Sequence, residues 1–269
     1  MKANIVIATL FCASAVLAAP FTELRRERRE ERLRRGSKSR LTLPADITEG
    51  GDVSATSGDA NVQYSSNWAG AVLVGSGYTS VTGTIVVPTP EEPSGGNRRT
   101  QYAASAWVGI DGDTCESAIL QTGVDFYIQD GEPSFDAWYE WYPDYAYNFD
   151  NFDISAGDSI QMTVTATSKS GGKATLENLS TGQTVSQTFS GESAELCETN
   201  AEWIVEDFSN GNSLVPFADF TTVTFTGAAA VSDGSTVDTS GAAILDIKQN
   251  NKVLTSCSAS GSEVTCTYE

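Results

Sequence analysis

The sequence predicts an all-β fold, an antiparallel sandwich of two curved sheets of the concanavalin-like or jelly-roll-like kind, built as a single domain. After about residue 60, Thr, Val, Ser and Gly dominate, and short alternating runs are separated by Gly, Asn and Asp turns. No segment keeps a helical period, and none resembles a βαβ unit. The roughly 210 residues of this region are enough for one hydrophobic core.

The strand predictions follow the alternating runs in chain order, because alternate residues of a strand point to the same face. Turn-forming residues between the runs favour the tight connections of an antiparallel sheet. The clearest runs are Trp68–Val74, Val81–Val87, Ile160–Ala166, Ala174–Leu179, Ala218–Thr226 and Ala243–Ile247.

Residues 1–19 have the pattern of a signal peptide. Lys2 precedes an apolar run over residues 5–17, and two alanines follow before Pro20. The run is too short to span a bilayer, so a membrane anchor is the weaker alternative. No later apolar run approaches about twenty residues. We therefore expect a secreted, extracellular protein with no membrane partner.

Charge is strongly segregated along the chain. Residues 1–40 hold ten of the 16 Lys and Arg but four of the 35 Asp and Glu. Residues 41–269 are left with six basic and 31 acidic residues, a formal charge of −25. Such an acidic body repels nucleic acid and anionic membranes, and protonation in acid relieves its self-repulsion.

This asymmetry predicts a basic propeptide over residues 20–60, followed by the folded domain over residues 61–269. The segment 21–40 alternates Glu and Arg and contains few apolar residues. We expect it to hold to the acidic body near neutral pH and to leave when the carboxylates are protonated. A solvated, disordered tail is the alternative.

The chain contains no histidine. This excludes Ser-His and Cys-His catalysis and removes the commonest zinc ligand. Any catalysis then rests on carboxylates, amides, hydroxyls or a metal bound by Asp or Glu. Asp111 and Asp113 are the metal candidates, but Asp-Gly-Asp is more often a tight turn. We expect no metal and no cofactor.

Four cysteines remain when Cys12 is assigned to the signal peptide, an even number in an oxidising compartment. Cys257 and Cys266 flank a turn that contains Gly and Ser, which predicts a disulfide across a C-terminal hairpin. Cys115 and Cys197 would then pair across a long loop. The absence of histidine and the cysteine spacing argue against zinc.

Two surface features are also predicted. Asn178-Leu-Ser180 is an N-glycosylation sequon beside a turn that contains glycine. The loop Pro88–Thr100 is rich in Pro and Gly and ends in Arg98-Arg99, as an exposed loop and a processing site would. Two surface arginines without processing are the alternative.

Three strand-like segments place polar and aromatic side chains on one face. Outward, solvated faces explain polar alternation, but they do not explain the aromatic rings beside the carboxylates. A concave binding face explains both. The shared faces are Ile119, Gln121, Gly123 and Asp125, then Asp136, Trp138, Glu140 and Tyr142, then Glu202, Ile204, Glu206 and Phe208.

Several long motifs resemble the fungal glutamic peptidases, the pepstatin-insensitive acid endopeptidases also called eqolisins. The resemblance runs from about Tyr64 to the C-terminus and is most similar to the aspergilloglutamic peptidase type, whose mature enzyme has two chains. The motifs are YSSNWAGAVL, the stretch that begins at Trp107, ILQTGVDF, FDAWYEWYPDY, NAEWIVEDF and VPFADF.

The resemblance implies a sandwich of two curved antiparallel sheets and a function for individual residues. The catalytic glutamine of the family falls on Gln121, and its catalytic glutamate falls on Glu206 rather than Glu202. The disulfides Cys115–Cys197 and Cys257–Cys266 are implied as well, and the 88–100 loop matches the region of chain processing. The implied substrate-binding residues are Trp107, Asp111, Asp125, Asp136, Trp138, Glu140 and Tyr142.

These residue types suit hydrolysis of protein and peptide substrates. Glu206 can take the proton of a water molecule and return it to the leaving amine. Gln121 carries a donor and an acceptor, so it can orient that water and hydrogen-bond the oxyanion, and it stays neutral at every pH. We expect activity on the acid side, in a precursor that its own propeptide inhibits.

Three other functions are compatible with parts of this pattern. A retaining glycosidase would use Glu140 and Glu206, about 5 Å apart, with Trp138 as a sugar platform. A lectin fits the fold but not the basic prosegment. An aspartic peptidase is suggested by Val237–Gly241, yet there is one copy, a Ser interrupts the usual Asp-Thr-Gly, and the length of a bilobal enzyme is missing.

Overall fold

The computed structural model describes residues 40–41, 43–50, 62–211 and 213–269, with the backbone alone at 40–41 and 48–50. The predicted signal peptide and the basic run of residues 21–40, apart from the backbone of its last residue, lie outside the described residues. No helix in the described ranges is long and apolar enough to cross a membrane.

The described chain is built from β-strands joined by turns. In chain order the strands are β1 (Arg40–Leu41), β2 (Ile47–Gly50), β3 (Val62–Ser65), β4 (Trp68–Val74), β5 (Tyr78–Val86), β6 (Tyr102–Ile110), β7 (Ile119–Gln129), β8 (Glu132–Tyr142), β9 (Tyr147–Asn148), β10 (Ser159–Ser168), β11 (Gly171–Asn178), β12 (Gln183–Ser190), β13 (Asn200–Glu206), β14 (Ser209–Asn210), β15 (Ser213–Leu214), β16 (Thr222–Ser232), β17 (Ser235–Val237), β18 (Ala243–Gln249), β19 (Lys252–Val253), β20 (Thr255–Ser260) and β21 (Glu263–Tyr268).

Two large sheets pack as a sandwich, which confirms the predicted fold class. The first has the order β12-β11-β10-β5-β16-β21-β20, with β17 beside β16. The second has the order β2-β3-β18-β4-β13-β6-β7-β8-β9, with β19 beside β18. Among the described strands the pairing is antiparallel except between β18 and β3. Strands β1, β14 and β15 form a small third sheet.

The main core lies between the two large sheets. Alternate residues of β4, β13, β6, β7 and β8 supply one side of it, and the inward residues of β5, β10 and β16 supply the other. Trp203 crosses between the sheets, and its indole Nε1 donates to the carbonyl oxygen of Thr82 at 2.7 Å. Glycine at position 83 leaves room for this ring, since an added Cβ would lie 3.0 Å from it. The other face of the second sheet points away from this core and carries a second, smaller cluster of buried residues.

Both predicted disulfides are present. Cys257–Cys266 joins directly opposite residues of the β20–β21 hairpin. Cys115–Cys197 joins the loop after β6 to the segment before β13, across a sequence separation of 82. This second bond ties together two connections at one end of the second sheet.

The 88–100 loop is a surface loop, and residues 94–99 are exposed. It is held at both ends rather than free. Near its start the Glu91 N–H donates to the carbonyl oxygen of Asp219 at 2.7 Å, and near its end the carbonyl oxygen of Arg99 accepts from the Gln129 amide at 2.9 Å. The predicted exposure of this loop thus agrees with the structure, and its cleavage stays a prediction.

Candidate active site

Five neighbouring strands carry the site on the face of the second sheet that points away from the main core. Their cross-strand partners form three rows. The first row is Val72, Glu202, Gly109, Gln121 and Glu140; the second is Gly70, Ile204, Trp107, Gly123 and Trp138; the third is Trp68, Glu206, Ser105, Asp125 and Asp136. The faces predicted from alternation on β7, β8 and β13 are therefore joined into one surface.

Glu206 ends β13 and is completely buried. Its Oε2 accepts a hydrogen bond of 2.9 Å from the indole Nε1 of Trp107, which is also completely buried. A hydrogen bond that an indole N–H donates to a carboxyl oxygen holds the carboxyl group in one orientation. Glu206 is thus fixed by a residue of the neighbouring strand.

Gln121 is completely buried near the start of β7. Neither its side-chain nitrogen nor its side-chain oxygen has a hydrogen-bond partner among the described residues. A buried amide without partners is costly, so such a group is expected to meet water or a ligand. Both the donor and the acceptor of Gln121 are therefore available to a molecule on this face.

Trp107 lies midway between Gln121 and Glu206 on the sheet. It belongs to β6, the strand between β7 and β13. Ser105, two residues before Trp107, pairs with Glu206. Gly109, two residues after Trp107, pairs with Gln121. Gln121 and Glu206 therefore lie on the same face of the sheet, diagonally on either side of this indole.

Two further contacts shape this face around Trp107. Trp68 lies in the same row as Glu206 and packs edge-on against Trp107, with ring centroids 4.8 Å apart. At the other end, the backbone of Asp111 has a φ of 69° and turns the chain back over the face. An added Cβ on Gly112 would lie 2.7 Å from the tip of the Trp68 ring. The loop after β6 therefore lies against the Trp68 ring on this face.

Gly123 makes room for the two central indoles. It lies between Trp107 and Trp138 in the second row, and an added Cβ would lie 2.5 Å from the Trp107 Cβ and 2.9 Å from the Trp138 ring. The small residue lets both rings lie over the sheet. This is the close-approach reason for a glycine inside a strand.

Four more of the predicted binding residues lie on the same face of the sheet. Asp125 and Asp136 are cross-strand partners, and the Tyr127 hydroxyl donates to Asp125 at 2.8 Å. Glu140 is buried beside Gln121. Tyr142 is half-buried and packs against the buried cluster that contains Trp68, Trp107 and Trp138, which we call the tryptophan cluster. All four lie on the predicted face.

Asp111 is also buried, but its carboxylate is already occupied. It accepts backbone N–H groups from Cys197, Glu198, Thr199 and Asn200 at 2.7–3.2 Å. These bonds shape the segment before β13, and so Asp111 supports the site from its end. Its oxygens also lie near the sulfurs of Cys115 and Cys197, which are consumed by their disulfide and offer no metal ligand.

The Asn178 sequon lies in a position that the sequence did not indicate. Asn178 is completely buried, and its Nδ2 donates to the carbonyl oxygen of Asp153 at 3.2 Å and to Asp158 at 3.0 Å. Its Oδ1 accepts the backbone N–H groups of Ser180 and Thr181. The nitrogen that would carry a glycan is therefore enclosed in the fold.

Sequence reasoning set Glu202 aside, yet it shares the row of Gln121. Both of its carboxyl oxygens are buried without a hydrogen-bond partner among the described residues. Burial, with the nearby charges of Asp111 and Asp113, raises the pKa of the Glu202 carboxyl well above its ordinary value. It is therefore neutral in acid. Glu202 and Glu206 lie on the same face of β13, and this alternation is the sequence signal that could have identified Glu202 as a site residue.

Two further groups on this face were not predicted as site residues. Trp68 was noticed only as part of a motif, although it alternates with Gly70 on the same face of β4. The segment Leu43–Asp46 lies within the predicted propeptide, and its Ala45 packs in the cluster that contains Trp68 and Trp107. No local pattern in the sequence connects this segment to the site.

Comparison with known proteins gives consistent results. A family model described as the Peptidase A4 family matches residues 66–268. Aspergillopepsin-2 of Aspergillus niger is 55% identical over 283 aligned residues, which cover 100% of both chains. Scytalidopepsin B of Scytalidium lignicola is 52% identical over 211 residues, which cover 76% of this chain and 78% of the relative.

Solved structures resemble the described fold. Scytalido-glutamic peptidase with a transition state analog inhibitor has a TM-score of 0.70 and 50% identity, covering 76% of this chain and 98% of the solved one. Aspergilloglutamic peptidase from Aspergillus niger has a TM-score of 0.61 and 67% identity, covering 62% of this chain and 99% of the solved one.

Proposed function

Because this chain belongs to the Peptidase A4 family and is a glutamic endopeptidase acting on protein or peptide substrates, we propose that Gln121 and Glu206 are its catalytic pair. The observation that carries this proposal is their arrangement across Trp107. One partner is a buried amide with a donor and an acceptor that no described residue uses, and the other is a buried carboxyl group oriented by an indole N–H.

In the proposed mechanism a water molecule lies between the two side chains. Glu206 takes a proton from this water as the oxygen attacks the peptide carbonyl carbon. The Gln121 amide nitrogen hydrogen-bonds the oxyanion that develops. Glu206 then returns the proton to the leaving nitrogen, and the carbon–nitrogen bond breaks. Because Gln121 has no titrating group, the reaction requires one carboxylate, and activity lies on the acid side of neutrality.

A retaining glycosidase is not supported by the same geometry. Its two carboxyl groups should be about 5 Å apart. Glu140 and Glu206 are on β8 and β13, which have β6 and β7 between them. Three inter-strand spacings separate the two strands by roughly 14 Å. The two residues also lie in different rows, four residues apart along the strands, which separates their backbones further.

We also propose that the enzyme is a secreted zymogen that is insensitive to pepstatin. The leader pattern of residues 1–19 supports secretion, and the acidic charge of the body supports an enzyme with no nucleic acid or membrane partner. The described part of the 20–60 propeptide, which includes Leu43–Asp46, covers the tryptophan cluster of the site. This contact supports inhibition of the precursor by its own propeptide.

Processing at the 88–100 loop to a two-chain enzyme is part of the proposal. The loop is exposed, and the Arg98 side chain is 72% accessible. The solved chain of aspergilloglutamic peptidase corresponds to 62% of this chain, although the curated relative from the same organism is matched over its full length. The mass of the acid-activated protein, measured under reducing conditions, tests whether the loop is cut.

The test of the catalytic pair is cleavage of denatured casein or haemoglobin in acid, with pepstatin present. Gln121→Ala and Glu206→Gln should each lose at least about 100-fold in kcat/KM. Gln161→Ala and Glu263→Gln, which lie away from the site on β10 and β21, should keep wild-type activity. Activity that survives Gln121→Ala, or a pH profile that peaks above neutrality, would contradict the proposal.

A further inference from the structure

The main chain of Leu43–Asp46, which leads into β2, hydrogen-bonds to residues beside the site face. The carbonyl oxygen of Leu43 accepts from the Trp68 indole at 3.0 Å and from the Asn67 amide at 3.4 Å. The same amide donates to the carbonyl oxygen of Pro44 at 3.2 Å. The first two carbonyl oxygens of the segment are therefore bound by side chains of the folded domain.

The matching continues through the next two residues. The N–H of Ala45 donates to the carbonyl oxygen of Gly112 at 3.0 Å. The N–H of Asp46 donates to Asn67 Oδ1 at 2.9 Å, and its carbonyl oxygen accepts from the N–H of Ser66. Asn67 thus both donates to and accepts from the segment, as a partner strand would.

The side chains of the segment contribute little to this recognition. Ala45 is 9% accessible and lies against the tryptophan cluster, where there is space for a small group. Asp46 is exposed and accepts from the Ser66 hydroxyl. A surface that binds main-chain groups and admits one small side chain accepts many peptide sequences.

The surface that binds Leu43–Asp46 is connected to the proposed catalytic residues through two tryptophans. Trp68 binds Leu43 with its Nε1 and packs against Trp107, whose own Nε1 binds Glu206. Gly112 follows Asp111, where the chain turns back over the face. The segment therefore contacts Trp68, which packs against the same indole that holds Glu206.

We propose that Asn67, Trp68 and Gly112 form a main-chain groove that binds the extended peptide substrate, with a small residue at the Ala45 position. Leu43–Asp46 fills this groove in the full-length chain as a substrate segment does. The substrate in this inference rests on the proposed function, whereas the groove itself does not.

The first test uses the full-length chain carrying Glu206→Gln, so that peptide cleavage does not interfere. Calorimetry measures binding of the octapeptide Leu-Pro-Ala-Asp-Ile-Thr-Glu-Gly, the sequence of residues 43–50. Ala45→Trp should expel the chain's own segment and raise octapeptide affinity at least about tenfold, by removing the competing occupant. Ile47→Trp is the matched control, because Ile47 is 39% accessible and should leave the segment in place.

Two further arms identify the groove. In the Ala45→Trp background, Asn67→Ala should weaken the octapeptide at least about tenfold, since several hydrogen bonds are lost. An octapeptide with N-methylated alanine should bind about tenfold more weakly to the unaltered groove, because it cannot donate to Gly112. Equal binding by the Ala45→Trp and Ile47→Trp chains, or by the methylated and unmethylated peptides, would overturn the proposal.

Kinetics of the acid-activated chain then link the groove to substrate. Asn67→Ala should raise KM about tenfold and leave kcat within about twofold, because the groove does not touch the reacting atoms. A loss confined to kcat would refute a binding role. If the wild type binds octapeptide but cuts no protein, the proposed function fails and the groove stands. If the acid-activated wild type cuts protein but binds no octapeptide, the groove proposal fails and the proposed function stands.

Discussion

The indole Nε1 of Trp107 donates to Glu206 Oε2 at 2.9 Å, and both residues are completely inaccessible to solvent. They lie 99 positions apart in the sequence and meet because β6 and β13 are neighbours. This bond orients the carboxyl group of the proposed base in a buried site.

Trp107→Phe should therefore reduce kcat/KM about tenfold or more while the protein stays folded. The phenyl ring keeps most of the packing against Trp68 but cannot donate to the carboxyl group, and a hydrogen bond to a charged group contributes about 1.5–3 kcal/mol. Casein cleavage and thermal unfolding of the same preparation measure the two effects. Full activity with Phe would show that the indole N–H does not matter.

Stability should fall as pH rises from about 4 to 7. Burial raises the pKa of Asp207 to about 7, that of Asp246 to about 6, and that of Glu202 well above its ordinary value. Between the unfolded and folded pKa values the folded state binds more protons, so the free energy of unfolding decreases with pH. Each group contributes up to about 1.4 kcal/mol per pH unit.

Urea unfolding at pH 4, 5.5 and 7 measures this slope. Stability from these groups is complete below the unfolded values and is lost as pH passes through the folded ones. Asp207→Asn should flatten the dependence, while Asp130→Asn at an exposed turn should not. A slope unchanged by Asp207→Asn would show that this carboxyl is ionised in the folded protein throughout.

The two disulfides should differ in their contribution to stability. Replacing Cys115 and Cys197 together by Ala should lower the free energy of unfolding by about 4.5 kcal/mol, because the bond closes a long loop, with a sequence separation of 82. The pair Cys257 and Cys266 is the matched control. It closes a short loop with a sequence separation of 9, and its loss should cost about 2.5 kcal/mol. Equal losses in urea unfolding would contradict the loop-entropy explanation.

Asn178 should carry no glycan in the folded, secreted protein. Its Nδ2 is buried and makes two hydrogen bonds, so a sugar there would displace Asp153 and Asp158 from their present contacts. The intact mass before and after treatment with a glycosidase for N-linked glycans measures occupancy. A mass loss that maps to Asn178 would show that this turn opens during or after folding.

The alternation of apolar and polar residues predicted some strands accurately and others poorly. Trp68–Val74 agrees with β4 residue for residue. The run predicted from Ala218 was too long at its start, because Thr221 has a φ of 60° and β16 begins only at Thr222. β12 was not predicted, since Gln183–Ser190 is an edge strand with half of its positions exposed. Val185 and Phe189 are the two apolar residues on its inward face, too few for a clear alternation.

By itself the sequence determined the fold class and which side chains share a face, because a strand alternates with period two whatever it pairs with. It also determined the family, through motifs that persist along most of the chain. Only the tertiary structure decided that Glu202 shares the row of Gln121, that Trp107 lies between Gln121 and Glu206, and that Leu43–Asp46 binds at Asn67 and Trp68. These facts depend on strand register, on a loop that folds back, and on contacts between distant segments, which no local pattern specifies.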